Sequence, residues 1–136
     1  MLQLIRSTLC ALFALAFSAL GSAADWRDYG GTPDQSKYVV LNDITKDNVD
    51  QLEIAWIYPT SDERAYQFNP IIVDDVMYVL AKESSLVAID LKTRKELWIH
   101  ANLRGITNRG INYWESPDRK DRRLLFTLED TLQAID

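Results

Sequence analysis

The side chains that most often carry catalysis are few and far apart in this sequence. The one cysteine, Cys10, lies in an apolar N-terminal stretch, and the one histidine, His100, stands alone beside the end of a predicted strand, where histidine is usually structural. The acidic residues are scattered among predicted turns, and no two of them stand out as an acid and base pair. These residue types therefore indicate no complete catalytic centre and no thiolate metal site.

One basic cluster stands out against a formal net charge of −5, but its pattern is not that of a nucleic-acid site. Residues 119–123 read Arg-Lys-Asp-Arg-Arg, so a carboxylate interrupts the cations, and Asp118 precedes them. Phosphate binding needs lysine and arginine concentrated on one surface. The cluster is therefore predicted to be a solvated hairpin turn, and nucleic acid is not expected as a partner.

A further set of residues has a spacing that suits packing: Ala88-x-Asp90-x-x-Thr93-Arg94-x-x-x-Trp98. The small alanine lets an indole lie close to the backbone, and the Asp and Thr side chains can hydrogen-bond backbone amides across a tight turn. The tryptophan supplies a large flat surface that can wedge between neighbouring sheets. This set is predicted to join sheets to one another.

The same stretch takes part in an internal repeat. Residues 78–90 reappear at 124–136, a spacing of 46, with five of thirteen positions identical. A repeat of this kind is typical of a β-propeller blade or a similar stacked array. The chain has 136 residues, whereas a ring of four or more blades needs at least about 160, so we expect the front end of a longer protein that breaks off within its second repeat. The identical pairs are Glu83/Glu129, Leu86/Leu132, Ala88/Ala134, Ile89/Ile135 and Asp90/Asp136.

Short apolar runs predict strands throughout residues 54–136. The runs at 71–73 and 76–80 flank a two-residue turn, Asp74-Asp75, and two more strands complete an antiparallel meander that makes one four-stranded blade. The fold class is therefore predicted to be all-β, a β-propeller fragment. The remaining predicted strands are 54–58, with Trp56 in the last strand of another blade, then 86–90, 96–99, 111–115, 124–128 and 132–135.

The first 53 residues differ from the predicted propeller segment, 54–136. Residues 1–24 have the pattern of a secretory signal peptide, with Arg6 before an apolar run and small residues at 21–24. That run is shorter than the roughly 20 residues of a spanning helix, so no stable membrane span is predicted and export to the periplasm is expected. Residues 25–53 are predicted to form a strap and a short helix at 46–52, capped by Thr45, with Val49 and Leu52 as its buried edge.

The packing set resembles the tryptophan-docking motif of quinoprotein propellers, Ala-x-Asp-x-x-Thr-Gly-x-x-x-Trp, with Arg94 in place of the usual glycine. Essentially all of residues 25–136 is similar to the start of dehydrogenases that depend on pyrroloquinoline quinone (PQQ) and oxidise glucose, other sugars or alcohols. The resemblance implies a parent with an eight-bladed propeller. The segments that carry it include Trp26-x-x-Tyr29-Gly30-Gly31, Lys37-Tyr38, Gln67-Phe68-Asn69-Pro70 and Asn108-Arg109-Gly110-x-x-Tyr113-Trp114.

The resemblance also implies which residues contact the cofactor. Arg109 matches an arginine that binds a PQQ carboxylate, and a planar guanidinium suits such a bidentate pair. Gln67 matches a Glu or Gln that hydrogen-bonds the same cofactor, and Thr107 is an adjacent candidate. The alternatives are a surface arginine bonded to loop carbonyls and an ordinary loop amide.

Further expectations come from the same resemblance. It implies a Ca²⁺ ion and a general-base aspartate, whose matching residues would lie beyond position 136. Relatives that act on methanol carry adjacent cysteines before the arginine motif, and residues 103–107 contain none, which makes a methanol enzyme less expected. The expected parent is a periplasmic dehydrogenase that passes hydride from a sugar or alcohol to PQQ and electrons to a quinone or cytochrome, and this chain alone is expected to be inactive. The alternative is a non-catalytic exported propeller that serves as a scaffold for protein–protein contacts.

Overall fold

Seven β-strands form the regular structure of residues 25–63 and 67–136, the part of the chain that this computed structural model describes. The predicted signal peptide, residues 1–24, lies outside the described residues. One turn of 3₁₀-helix, Val49–Gln51, precedes the strands. The strands are β1 Ile71–Val73, β2 Val76–Ala81, β3 Ser85–Asp90, β4 Lys95–His100, β5 Asn112–Glu115, β6 Arg122–Leu128 and β7 Thr131–Ile135.

The strands form two antiparallel sheets, each in chain order. The first sheet is β1-β2-β3-β4 and the second is β5-β6-β7. This arrangement confirms the all-β prediction and the four-stranded meander. No helix in the described residues is long and apolar enough to cross a membrane.

The main core lies between the two sheets. Ile71 and Leu86 of the first sheet and Phe126 of the second are at most 2% exposed and belong to one apolar cluster. Because successive side chains of a strand point to opposite faces, Val87 and Ile89 lie on the far face of the first sheet. Full burial of such a side chain contributes about 1.5–3 kcal/mol, so the contact between the sheets stabilises the fold.

The turn between β1 and β2 is the predicted two-residue hairpin. Asp74 has φ +49° and Asp75 has φ +64°, so both residues are left-handed, as a type I′ turn requires. Asp is an accepted residue at the first of these positions, and at the second it is poorer than glycine. Lys92 pairs with Asp75 at 2.6 Å.

The packing set forms the turn between β3 and β4 as predicted. The Thr93 N–H donates to Oδ1 of Asp90 at 2.6 Å, and the Arg94 N–H donates to the Asp90 carbonyl at 2.7 Å. The Thr93 amide is the largest cause of a lowered pKa for the Asp90 carboxyl. Arg94 has φ +61°, a left-handed conformation that explains why glycine is usual at this place in the related motif.

Trp98 borders the gap between the two sheets but is 37% exposed and belongs to neither buried cluster, so the structure does not show the predicted wedge between the sheets. It stands opposite Ala88 in the β3–β4 pair, and a bulge beside it leaves Leu97 as the extra residue. Its ring centroid is 5.8 Å from that of Tyr78. These two rings and Leu124 of the second sheet line a cavity of about 200 Å³ between the sheets.

The prediction of a strand at residues 54–58 is wrong. A strand needs backbone hydrogen bonds to a neighbour, and no described segment pairs with these residues. Instead the side chains of Trp56 and Tyr58 pack over Val87 and Ile89 on the far face of the first sheet. Ile57 points away and is 76% exposed.

The predicted helix is shorter and more exposed than expected. The prediction that Thr45 caps the helix is wrong, because the helix begins after Asn48, whose side chain makes no capping hydrogen bond. Thr45 belongs to the preceding turn, where its Oγ1 accepts from the Asp47 N–H at 3.3 Å and its N–H donates to Oδ1 of Asn48 at 2.7 Å. The helix covers only Val49–Gln51 instead of 46–52. Val49 is 51% exposed and Leu52 is 60% exposed, so the predicted buried edge is wrong; no described segment packs over it.

The two copies of the repeat differ by one residue in the turn before their third strand. The β2–β3 turn has one residue more than the β6–β7 turn. Ala88 pairs with Tyr78, whereas its counterpart Ala134 pairs with Leu125. The ungapped repeat alignment is therefore wrong by one position in β6, and such a slip moves a side chain to the other face. Leu124 accordingly joins the core between the sheets.

The strap, residues 25–41, adds to the free edge of β1. Trp26 and Ile72 exchange two backbone hydrogen bonds of 2.8 and 2.9 Å. Gly31 lies against the Trp26 indole at φ +93°, and a Cβ added there would lie 3.1 Å from the ring. This close approach explains the glycine that follows Tyr29-Gly30 in the sequence.

Candidate functional site

Two loops carry the three residues predicted to contact the cofactor, and each loop leads into the first strand of its sheet. The first-sheet loop, residues 67–70, precedes β1, and the second-sheet loop, residues 107–110, precedes β5. Phe68 in the first loop is 8% exposed, and Ile111 just after the second is 1% exposed; both belong to the core between the sheets. The core therefore anchors both loops, while Gln67 and Arg109 are exposed.

The second-sheet loop is held by its own backbone contacts. The Thr107 N–H donates to the Thr127 carbonyl at 3.0 Å, and Ile106 bridges Leu128. Oγ1 of Thr107 accepts from the Arg109 N–H at 3.3 Å. Thr107 thus shapes the turn on which Arg109 stands, and its hydroxyl hydrogen is free to donate to a ligand.

Four of the seven arginines in the described residues are ion-paired, whereas Arg109, like Arg94 and Arg104, is not. Arg27, Arg119, Arg122 and Arg123 each pair with a carboxylate. The Arg109 side chain makes no ion pair or hydrogen bond with any other residue in 25–63 or 67–136. An exposed guanidinium without a carboxylate partner is available for an anionic ligand.

Tyr29 of the strap lies where the two loops come together. Nδ2 of Asn69 in the first-sheet loop donates to the Tyr29 carbonyl at 3.3 Å. In the second-sheet loop, a Cβ added to Gly110 would lie 3.3 Å from Cδ2 of Tyr29, and Gly110 has φ +120°. The structure therefore brings the segments of Gln67 and Arg109 to a common residue. No contact joins the Gln67 and Arg109 side chains directly within the described residues.

Sequence reasoning did not assign Tyr29 and Asn69 to the site. Both residues belong to segments that carried the family resemblance, Trp26-x-x-Tyr29-Gly30-Gly31 and Gln67-Phe68-Asn69-Pro70. The two motifs could have marked Tyr29 and Asn69 as candidates for the site, but nothing in the spacing of the motifs indicates that these two residues contact each other.

A charged network occupies the other end of β1 and β5. Asp74 accepts from Arg119 and Arg122 of the second sheet, and Glu115 at the end of β5 pairs with Arg27 of the strap at 2.7 Å. The Arg27 guanidinium, followed by the Tyr113 hydroxyl, lowers the pKa of Glu115 to about 2. Residues 119–121 lie in the hairpin turn between β5 and β6, and Arg122 and Arg123 begin β6. The side chains stay partly exposed to solvent, as predicted, but Arg119 and Arg122 also join the two sheets.

A cavity beside the strap is separate from the predicted site side chains. It has a volume of about 510 Å³ and a mainly apolar lining from Trp26, Val39, Leu41, Asn69, Pro70, Ile72 and Met77. Neither Gln67 nor Arg109 lines it. In the described residues, no group of three or more His, Cys, Asp or Glu side chains is placed to hold a metal ion.

The donor chemistry of the two loops fits a ligand that carries several carboxylates. Arg109 offers a planar fork of N–H donors, Gln67 offers an exposed amide, and the Thr107 hydroxyl lies beside the Arg109 turn. No carboxylate side chain is bonded to any of the three within the described residues. The arrangement can bind and orient an anion, and by itself it carries no acid–base pair.

A family model and the similar known proteins point to the same family. The model of the PQQ glucose/ethanol/alcohol dehydrogenase β-propeller domain matches residues 26–136. The chain is 36% identical over 98 residues to the 1-butanol dehydrogenase (cytochrome c) of Thauera butanivorans, covering 71% of this chain and 14% of that protein. It is 34% identical over 104 residues to the dehydrogenase subunit of the alcohol dehydrogenase (quinone) of Gluconobacter oxydans, covering 69% of this chain and 14% of the subunit.

A solved structure agrees with the sequence matches. The crystal structure of the quinohemoprotein alcohol dehydrogenase from Comamonas testosteroni superposes with a TM-score of 0.68 at 26% identity, over 85% of this chain and 18% of that one. The chain thus spans less than one fifth of the length of these relatives.

Proposed function

Because the chain belongs to the PQQ-dependent glucose/ethanol/alcohol dehydrogenase β-propeller family, we propose that its two sheets are blades that hold one side of the cofactor in an alcohol dehydrogenase. The observation that carries this proposal is the Arg109 guanidinium, which is exposed on an anchored loop and has no carboxylate partner among the described residues. PQQ carries three carboxylates and is the kind of ligand that such a group recognises.

The residues of this chain would bind and orient the cofactor. Arg109 would form a bidentate pair with a carboxylate, Gln67 would add an amide hydrogen bond from the neighbouring loop, and Thr107 would keep the Arg109 turn in shape. When bound, PQQ supplies the ortho-quinone that accepts hydride from the substrate. Holding the quinone rigidly is the contribution of these loops, because position and orientation lower the entropic part of the barrier.

The substrate and acceptor are proposed from the relatives. Their names give 1-butanol with cytochrome c, and alcohols with quinone, and a large subunit of glycerol dehydrogenase is also similar, at 34% identity. An alcohol is therefore favoured over a sugar, with a cytochrome or a quinone as electron acceptor. A calcium ion beside the cofactor, as the family resemblance implies, would polarise the reactive carbonyl.

The same proposal includes where the protein is located and whether this chain is active by itself. The signal-peptide pattern of residues 1–24 supports export to the periplasm. Since the chain spans less than one fifth of its relatives, the 136 residues alone are proposed to give no PQQ-dependent dye reduction. Robust turnover by the purified 136-residue polypeptide would contradict this part.

A binding titration with matched arginine variants tests the central role of Arg109. In the intact protein that carries these residues, Arg109→Ala should weaken PQQ binding by about tenfold or more, the equivalent of one charged hydrogen bond. Arg104→Ala is the control, because Arg104 is exposed, lies five residues earlier and has no ion pair within the described residues. Quenching of tryptophan fluorescence by added PQQ gives the dissociation constant. Equal affinities for the two variants would overturn the proposed role.

A further inference from the structure

The strap is joined to both cofactor-site loops through one residue, Tyr29. Its carbonyl accepts from Nδ2 of Asn69 at 3.3 Å in the first-sheet loop. Its ring faces Gly110 in the second-sheet loop, closely enough that an added Cβ would lie 3.3 Å from Cδ2. One residue of a third segment therefore contacts both loops, at positions two residues after Gln67 and one residue after Arg109.

The strap itself is fixed, so Tyr29 can act as a rigid spacer. Two backbone hydrogen bonds of 2.8 and 2.9 Å join Trp26 to Ile72 of β1. On the other side of Tyr29, the Lys37 N–H donates to the Gly30 carbonyl at 2.9 Å, and Nζ of Lys37 lies 5.8 Å from the centroid of the Tyr29 ring. Tyr29 is thus held between a strand edge and a turn.

We propose that Tyr29 is a positioning residue that sets the distance between the Gln67 loop and the Arg109 loop. The inference rests on the proposed function of those loops. The shared core anchors both loops through Phe68 and Ile111, Tyr29 is a further contact common to both loops, and no direct bond joins Gln67 to Arg109 in the described part of the chain. A ligand that both loops grip would therefore depend on Tyr29 for its affinity without touching it.

The glycine at position 110 supports this role. With φ +120° it is in a conformation that other residues rarely adopt, and the absence of a side chain lets the loop approach the Tyr29 ring. Tyr29 as a whole is 41% exposed, against 69% for Tyr38 on the same strap. An aromatic side chain, rather than the hydroxyl, is what the contact needs.

Hydrogen exchange of the ligand-free protein tests the inference independently of cofactor binding. Tyr29→Ala should raise amide exchange in residues 67–70 and 107–110, since both loops lose a shared support. Tyr29→Phe should leave exchange unchanged, because it retains the ring and the backbone carbonyl. Tyr38→Ala is the matched control: Tyr38 lies on the same strap and is 69% exposed. Unchanged exchange in Tyr29→Ala, or a rise spread evenly over both sheets, would overturn the positioning role.

PQQ affinity provides the second readout, again in the intact protein. Tyr29→Ala should weaken binding about tenfold, and Tyr29→Phe and Tyr38→Ala should not. In an Arg109→Ala background the effect of Tyr29→Ala should shrink, because part of it acts through Arg109; equal losses in both backgrounds would contradict this. If the unmodified protein does not bind PQQ, the proposed function is wrong. If it binds PQQ and Tyr29→Ala binds with the same affinity, only the positioning role is wrong.

Discussion

Leu86 and Leu132 occupy the same place in the two copies of the repeat, but one is buried and the other is exposed to solvent. Leu86 in β3 is 0% exposed and lies in the core between the sheets, whereas Leu132 in β7 is 74% exposed. The neighbouring pair behaves alike, since Ala88 is buried and Ala134 is exposed. The second sheet presents to solvent the face that the first sheet buries.

The difference teaches that a blade has no finished core of its own. The first sheet becomes buried on one face because the second sheet lies against it, and on the other because Trp56 and Tyr58 cover Val87 and Ile89. Within the described residues, no segment covers the corresponding open face of the second sheet. Stability in such arrays is a sum of repeat terms and contacts between neighbours.

The largest expected effect comes from truncating the two leucines. Leu86→Ala should lower the free energy of unfolding by about 2–5 kcal/mol, because it opens a cavity in a packed core. Leu132→Ala should change it by less than about 0.5 kcal/mol, as an exposed substitution. Urea unfolding of both variants measures the contrast. A cost for Leu132→Ala similar to that of Leu86→Ala would mean that another part of the protein covers the second sheet.

How far the sequence predicts this molecule depends on the range of the interactions involved. The Asp74-Asp75 hairpin and the Asp90–Thr93 turn were predictable because their bonds are local. The place of Trp56 was not, because a strand exists only where a partner strand lies beside it. The side of the sheet on which Leu124 lies was not predictable either, because a difference of one residue in turn length moves its side chain to the opposite face.

The candidate site divides in the same way. The family motif located Gln67 and Arg109, and the structure places both on exposed loops anchored by the shared core. Their relation through Tyr29 depends on a contact between residues 40 positions apart, Tyr29 and Asn69. No periodicity or spacing in the sequence encodes such a contact. The roles of Gln67 and Arg109 in binding the cofactor stay predictions that a PQQ-binding measurement tests.

A smaller effect should come from the turn that follows β3 in the first sheet. Arg94 is held at φ +61°, so Arg94→Gly should raise the free energy of unfolding by about 0.5–1 kcal/mol, since glycine adopts this conformation without steric cost. Arg94→Ala, which retains a Cβ, should give no such gain. Thermal or urea unfolding compares the two. A loss of stability in Arg94→Gly would show that the arginine side chain contributes more than its backbone strain costs.

The smallest effect concerns the charged contact between the sheets, in contrast to the apolar one. The pKa of Glu115 is lowered from the ordinary 4.5 of a glutamate to about 2, so its carboxylate stabilises the folded state fully above pH 4.5 and loses that contribution as the pH falls toward 2. Glu115→Gln should therefore have a lower melting temperature than the parent at neutral pH, and the gap should close in acid. Glu53→Gln, at an exposed position, is the control. A gap that does not change with pH would contradict the role of the Glu115 charge.

The most direct test of the whole account is a crystal structure of the intact protein with PQQ bound. We expect one PQQ carboxylate within about 2.7–2.9 Å of two guanidinium nitrogens of Arg109, with the Gln67 amide on the same cofactor. Density for PQQ at a distance from both loops, with Arg109 still directed to solvent, would contradict the assignment of these two sheets as cofactor-holding blades.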